Sequence, residues 1–180
     1  FQHRHKYNPI EHVKSRIKTP ESIVKKLKRH GYESSIENMV RYVNDIAGIR
    51  ISCSFTSDIY LIADMISKQN DLTILARRDY MKNPKKSGYN GYRSYHLIVR
   101  VPIFLSDRVV PTKVEIQIRT VAQDFWATLE HKMHYKFEGD GPDYITKELR
   151  ECARYVAELD TRMEELNNEI QKYGKLSDKK

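Results

Sequence analysis

Apolar positions along this chain follow two rhythms, one of period two and one of period three to four, and the switches between them mark the elements. Thr19-Pro20 reads as a helix start, a hydroxyl cap followed by proline at the first helical position, and Gly31 reads as its stop. Ile23, Val24 and Leu27 form its apolar stripe, with Lys25, Lys26, Lys28 and Arg29 outside it. Residues 46–55 alternate as a strand, Ile49, Ile51, Cys53 and Phe55 sharing one parity. Ser57-Asp58 is placed to cap a helix through about Lys68, with Ile59, Ile62, Ala63 and Ile66 inward. Leu72–Ala76 reads as a short strand, and Tyr95–Phe104 and Lys113–Arg119 as longer strands pairing antiparallel across a short gap. Thr120 caps an amphipathic helix to about Lys136, Gly139-Asp140-Gly141-Pro142 breaks the chain, and a last helix covers about 144–173. Residues 1–18 are polar and without periodicity, and Lys175–Lys180 reads as a frayed tail. No internal repeat appears, and 180 residues fit one domain, 1–180, with a core over about 10–140.

Composition adds a partner class. The net charge of +8 implies an anionic partner, and on charge alone nucleotides, RNA and acidic membrane surfaces all stay open. No apolar run approaches the ~20 residues that a membrane helix needs. The two cysteines, Cys53 and Cys152, form no close-spaced motif, which suits a cytoplasmic location. The chain opens on Phe1 with no signal-peptide pattern, so residues are expected to be missing ahead of it.

The chemistry concentrates on two strands. Asp45 stands just before the first, Arg50 lies inside it, and Glu115 shares one face of the later strand with Gln117 and Arg119, while Val114, Ile116 and Ile118 take the other. Two strand-borne carboxylates in a Lys- and Arg-rich chain point to a magnesium–polyphosphate site, because a carboxylate holds a hard cation that bridges phosphate oxygens. The competing explanations are a solvated sheet face and a structural ion pair. Arg16 and Lys18 precede the first helix, and Lys26 and Arg29 share one of its faces; these four cations suit a triphosphate, or else form an ordinary basic face. The segment 82–93 mixes Lys82, Lys85 and Lys86 with Tyr89, Tyr92, Gly88 and Gly91, a combination of phosphate-binding, stacking and close-approach residues. His96 follows on a strand as a phosphate donor or a satisfied strand residue. His131 and His134 have helical spacing but lack a nearby third ligand for zinc. No Walker A or Gly-x-Gly-x-x-Gly sequence occurs.

Four ordered motifs, Asp45-Ile-Ala-Gly-Ile-Arg50, Asn90-Gly-Tyr-Arg-Ser-Tyr-His96, Val114-Glu-Ile-Gln-Ile-Arg-Thr120 and Phe125-Trp-Ala-Thr-Leu-Glu-His131, resemble the synthetase domain of the RelA/SpoT family. The resemblance spans about residues 10–170 and is similar to a small stand-alone bacterial alarmone synthetase; no His-Asp dipeptide of the hydrolase domain occurs. It implies an α+β fold, a mixed sheet flanked by helices and similar to nucleotidyltransferases, with a long C-terminal helix. It further implies transfer of the pyrophosphoryl group of ATP to the 3′-hydroxyl of GTP or GDP, and no hydrolase activity. By the resemblance, Asp45 and Glu115 ligate Mg2+, Glu115 also activates the hydroxyl, and Arg50 is a further active-site cation. Arg16, Lys18, Lys26, Arg29 and Arg78 fall to ATP, and Tyr92, Lys86, His96 and Gln117 to the guanine nucleotide, with Tyr89 competing for the stacking role of Tyr92. A homotetramer is implied as well, and Leu149, Cys152, Val156, Leu159, Met163, Leu166, Ile170 and Tyr173 form a heptad-like seam, for such an interface or else for a helix folded back on its own sheet. No DNA or membrane partner is expected, and RNA regulation stays open. The alternatives are a catalytically silent RNA-binding module and a nucleotidyltransferase acting on RNA ends; the first gains nothing from acids beside an anion.

Overall fold

The computed structural model describes residues 7–84, 91–136 and 142–177, with backbone alone for 134–136 and 174–177. Five strands, β1 (Ile10–Ile17), β2 (Ala47–Cys53), β3 (Thr73–Asp79), β4 (Tyr95–Phe104) and β5 (Val109–Thr120), form one mixed sheet in the order β1-β2-β5-β4-β3. β2 runs parallel to β5, and every other neighbour pair is antiparallel, including the expected β4–β5 pair. Five helices accompany the sheet: α1 (Pro20–Arg29), α2 (Ile36–Tyr42), α3 (Thr56–Ser67), α4 (Val121–Lys136) and α5 (Asp143–Ser177). The alternation in β2, β4 and β5 buries Ile51, Cys53, Leu97, Val99, Ile116 and Ile118 on one face, where Ile59, Ile62 and Ala63 of α3 cover them. The opposite face of the same strands is left to Arg50, His96, Glu115 and Gln117.

Two elements escaped the periodicity. β1 lies within residues 1–18, where no periodicity was read: it is an edge strand exposed along nearly its whole length, held by backbone pairing with β2, so no burial pattern marks it. α2 buries no residue; its Ser35 hydroxyl accepts the Asn38 amide, and Lys113 donates to the Val40 and Arg41 carbonyls at its C-terminus. Other bounds shift. α1 starts as expected, Thr19 accepting from Ser22, and Gly31 adopts φ +75 just past its end. α3 begins at Thr56, and the Asp58 carboxylate caps it from inside the first turn by accepting the Phe55 amide. The short strand expected at 72–76 continues to Asp79, and α5 extends through Ser177, into the segment expected to fray.

α4 opens with a reciprocal cap. The Gln123 amide donates to Thr120 Oγ1 at 3.1 Å, and the Thr120 amide donates to Gln123 Oε1 at 3.2 Å. α5 clasps this corner: Thr120 Oγ1 and Gln123 Nε2 both donate to the buried Asp160 at 2.8 Å. Trp126 packs with Ala127 and Ala153, with Leu149, Val156 and Tyr92 against them, and its indole N–H donates to the Leu149 carbonyl. The seam expected on α5 is therefore divided. Leu149 and Val156 serve the protein's own core, whereas Cys152, Leu159, Met163, Leu166, Ile170 and Tyr173 are exposed, because the inward face follows Leu149, Ala153, Val156 and Asp160. Among the described residues no helix is long and apolar enough to cross a membrane.

Candidate active site

β2 and β5 are parallel neighbours in register, so Gly48 stands opposite Glu115 and Arg50 opposite Gln117. Asp45, two residues ahead of β2, opens into the same space. A cleft of about 280 Å³ results, lined by Arg16, Asp45, Gly48, Arg50, Glu115 and Gln117. Gly48 pairs with Arg16 of β1, and the Arg16 side chain lies over it, its Cγ at an ordinary contact distance of 3.6 Å from where a Cβ would stand.

Both carboxylates are held ionised. Asp45 accepts from Lys18 Nζ at 2.8 Å and Lys26 Nζ at 2.7 Å; burial would raise its pKa, but the two ammonium groups outweigh it and hold it below its ordinary value. Burial also acts to raise the pKa of Glu115, and hydrogen bonds from His96 and Gln117 reverse the direction, against repulsion from Asp45. Glu115 Oε1 lies 3.3 Å from His96 Nδ1, and Oε2 accepts from Gln117 Nε2 at 3.0 Å.

On the far side of Glu115 lies an aromatic group. The Tyr92 hydroxyl is 2.8 Å from His96 Nε2, and the rings of Tyr80, Tyr92 and His96 meet edge to face at 5.0–6.1 Å. The Arg119 guanidinium lies over the Tyr92 ring, 4.8 Å from its centroid. Arg50 and Arg119 share one carboxylate, Asp124 at the start of α4, at 3.2 and 3.3 Å.

Of the residues singled out from the sequence, the structure brings together Arg16, Lys18, Lys26, Asp45, Arg50, Glu115, Gln117, His96 and Tyr92. Arg29 is exposed on α1 without joining the lysines on Asp45. Arg78 is on the opposite edge strand, in register with His96, so it stands beside the aromatic group and three strands from β2. Lys86 and Tyr89 lie outside the described residues, as does the side chain of His134. Sequence reasoning missed Tyr80, Ser94 and Asp124. Asp124 stands only five residues beyond Arg119, its near partner, but its meeting with Arg50 depends on α4 folding back over the sheet end; Tyr80 could have been found by its place beside the basic, tyrosine-rich segment.

Comparison with known proteins agrees with this geometry. The region found in RelA / SpoT proteins matches residues 15–140. GTP pyrophosphokinase YwaC of Bacillus subtilis is 49% identical over 166 residues, covering 92% of this chain and 78% of that protein. The crystal structure of small alarmone synthetase 2 from Bacillus subtilis superposes with a TM-score of 0.83 at 47% identity, covering 93% of this chain and 86% of the other. Small alarmone synthetase 1 from the same organism, bound to its product pppGpp, superposes with a TM-score of 0.86 at 36% identity, covering 94% of this chain and 84% of the other. The matched region spans both acid-bearing strands, and the chain belongs to the RelA/SpoT family, among its small alarmone synthetases.

Proposed function

We propose that this protein is a GTP pyrophosphokinase that transfers the pyrophosphoryl group of ATP to the 3′-hydroxyl of GTP or GDP, without hydrolase activity. The observation that carries the reading is that Asp45 and Glu115 open into one shared cleft, flanked by Arg16, Lys18, Lys26 and Arg50. The ribose 3′-oxygen bonds to the β-phosphorus, the bond from that phosphorus to the α,β-bridging oxygen breaks, and AMP leaves with that oxygen. Glu115 is ionised and receives the hydroxyl proton on a lone pair left over from its hydrogen bonds. Arg16, Lys18, Lys26 and Arg50 orient the triphosphate and offset the charge on the transferred group and on AMP, with Arg29 and Arg78 reaching ATP from the rim. Tyr92, His96, Gln117 and Lys86 receive the guanine nucleotide. Two carboxylates on one cleft are a donor set of the kind Mg2+ takes together with phosphate oxygens and water, so Asp45 and Glu115 would hold it there. Bound, the ion would offset phosphate charge. The experiment is incubation with ATP, GTP and magnesium, with products resolved by chromatography. AMP and pppGpp in equal amounts support the reading; RNA binding without product, or nucleotide addition to RNA ends, replaces it.

The same reading includes a closed homotetramer assembled through the apolar stripe that α5 leaves exposed, Leu159, Met163, Leu166, Ile170 and Tyr173. Light scattering of the Leu159→Asp/Leu166→Asp variant is expected to give a smaller species than the unmodified protein. A monomeric mass for the unmodified protein at micromolar concentration rules the tetramer out.

A further inference from the structure

Five side chains on the working face close a ring of hydrogen bonds. Arg119 Nη2 donates to the Tyr92 hydroxyl and, at 2.8 Å, to Gln117 Oε1. Tyr92 contacts His96, and His96 and Gln117 each contact one oxygen of Glu115. A guanidinium only donates. The arrangement that satisfies every group therefore runs outward from Arg119 in two arms. In one, the Tyr92 hydroxyl donates to His96 Nε2 and His96 Nδ1–H donates to Glu115; in the other, the Gln117 amide donates to Glu115. Both arms end on the same carboxylate.

We propose that Arg119 is a positioning residue that holds the acceptor tyrosine and the catalytic glutamate in one register. The inference rests on the reaction proposed above. Arg119 is 3% exposed and uses all three nitrogens: Nη1 on Asp124, Nη2 on the two arms, and Nε toward Ser94 Oγ at 3.4 Å. Charge neutralisation alone does not require this. Asp124 is already engaged by Arg50, so one carboxylate serves two guanidiniums. What the second guanidinium supplies is a rigid fork whose donors point along fixed directions, which an ammonium on a flexible stem does not reproduce. Tyr92 is thereby held by its hydroxyl and its ring face together, at a set distance from Glu115. A base and an acceptor ribose must be aligned to a fraction of an ångström for transfer, and the ring is the means of that alignment.

Arg119→Lys keeps the charge and removes the fork. The expected result is a loss in kcat of at least ~10-fold with a raised KM for GTP, and a KM for ATP within about twofold of wild type. Tyr92→Phe and Gln117→Met cut the arms one at a time without touching the buried charge. If Arg119 acts through them, adding Arg119→Lys to the double variant costs little more, within about twofold. Wild-type kcat and GTP KM in Arg119→Lys, or losses that multiply in the triple variant, overturn the proposal. Should Arg119→Lys fail to fold, the arm variants decide: wild-type kcat in both overturns it. Failure of the reaction itself is separable. Wild-type protein that makes no pppGpp overturns the functional reading. Calorimetry still tests Arg119 then: weaker GTP binding with unchanged binding of a non-hydrolysable ATP analogue supports its role, and unchanged GTP binding overturns it.

Discussion

The protein keeps carboxylates in two regions that treat them in opposite ways. On the working face of the sheet, Asp45 and Glu115 are partly buried, yet each is pulled below its ordinary pKa by donors on both oxygens. At the corner where α5 clasps α4, Asp160 is about as buried as those two, and there burial prevails over the hydrogen bonds from Thr120 and Gln123, so its pKa rises. Both sites offer hydrogen bonds to the carboxylate. For Asp45 the difference is the kind of donor: two ammonium groups secure it, whereas a hydroxyl and an amide carrying no charge meet Asp160. The first region holds negative charge on a cleft lined by cations. The second uses a carboxyl to fasten a helix.

The largest expected effect lies on the working face. Glu115→Gln and Asp45→Asn each preserve shape and delete charge, and each should lower turnover by at least ~100-fold while the circular dichroism spectrum stays native. Turnover within about threefold of wild type for Glu115→Gln would break the comparison, since the face would then be storing charge for nothing. Tyr92 belongs to both regions, touching His96 on one side and the Trp126 cluster on the other. Tyr92→Ala should cost ~1–3 kcal/mol in guanine-nucleotide binding by calorimetry and leave ATP binding near normal, whereas Lys26→Ala should do the reverse.

The next effect tests the clasp alone. Gly91 has φ +86, and a Cβ on it would lie 2.4 Å from the Ala153 Cβ on α5. Gly91→Ala must therefore push α5 away from the Trp126 corner and strain its own backbone, a loss of ~1–3 kcal/mol measurable by urea denaturation. An unchanged denaturation midpoint would mean that α5 is not seated on this corner.

The smallest effect carries a sign. Asp45 has a folded pKa below the ordinary carboxylate value of 3.8, so its contribution to stability is present above that value and lost as pH falls through the folded pKa. Asp160 has a folded pKa above 3.8, so folding favours its protonated form and stability is lost as pH rises from 3.8 through the folded pKa. Relative to wild type, Asp160→Asn should therefore become more stable between pH 3 and pH 7, and Asp45→Asn less stable. Denaturation midpoints that move in the same direction would erase the distinction between the two regions.

Much of the working face was legible before any fold. Glu115, Gln117 and Arg119 share a face because side chains alternate across a strand, a rule of backbone stereochemistry that needs no neighbour. The caps at Thr19 and Thr120 were legible for the same reason, since each reaches only three residues along the chain. β1 was not, because an edge strand held by main-chain hydrogen bonds carries no side-chain signature. The seven-residue α2 buries nothing and leaves no apolar stripe to read.

What the sequence by itself determined is thus the set of chemical groups and their local facing: acids on two strands, cations around one helix, an aromatic segment and an apolar stripe on the last helix. Only the tertiary structure decided which groups meet. The parallel register of β2 with β5 puts Asp45 and Glu115 on one cleft, and the return of α4 gives Arg50 and Arg119 a shared carboxylate. The docking of α5 chooses which apolar residues are spent on the protein's own core and which remain exposed. Periodicity is set by torsions within a few bonds, whereas these meetings depend on strand order and helix return, which join residues 19 to 74 positions apart on the basis of burying a common core.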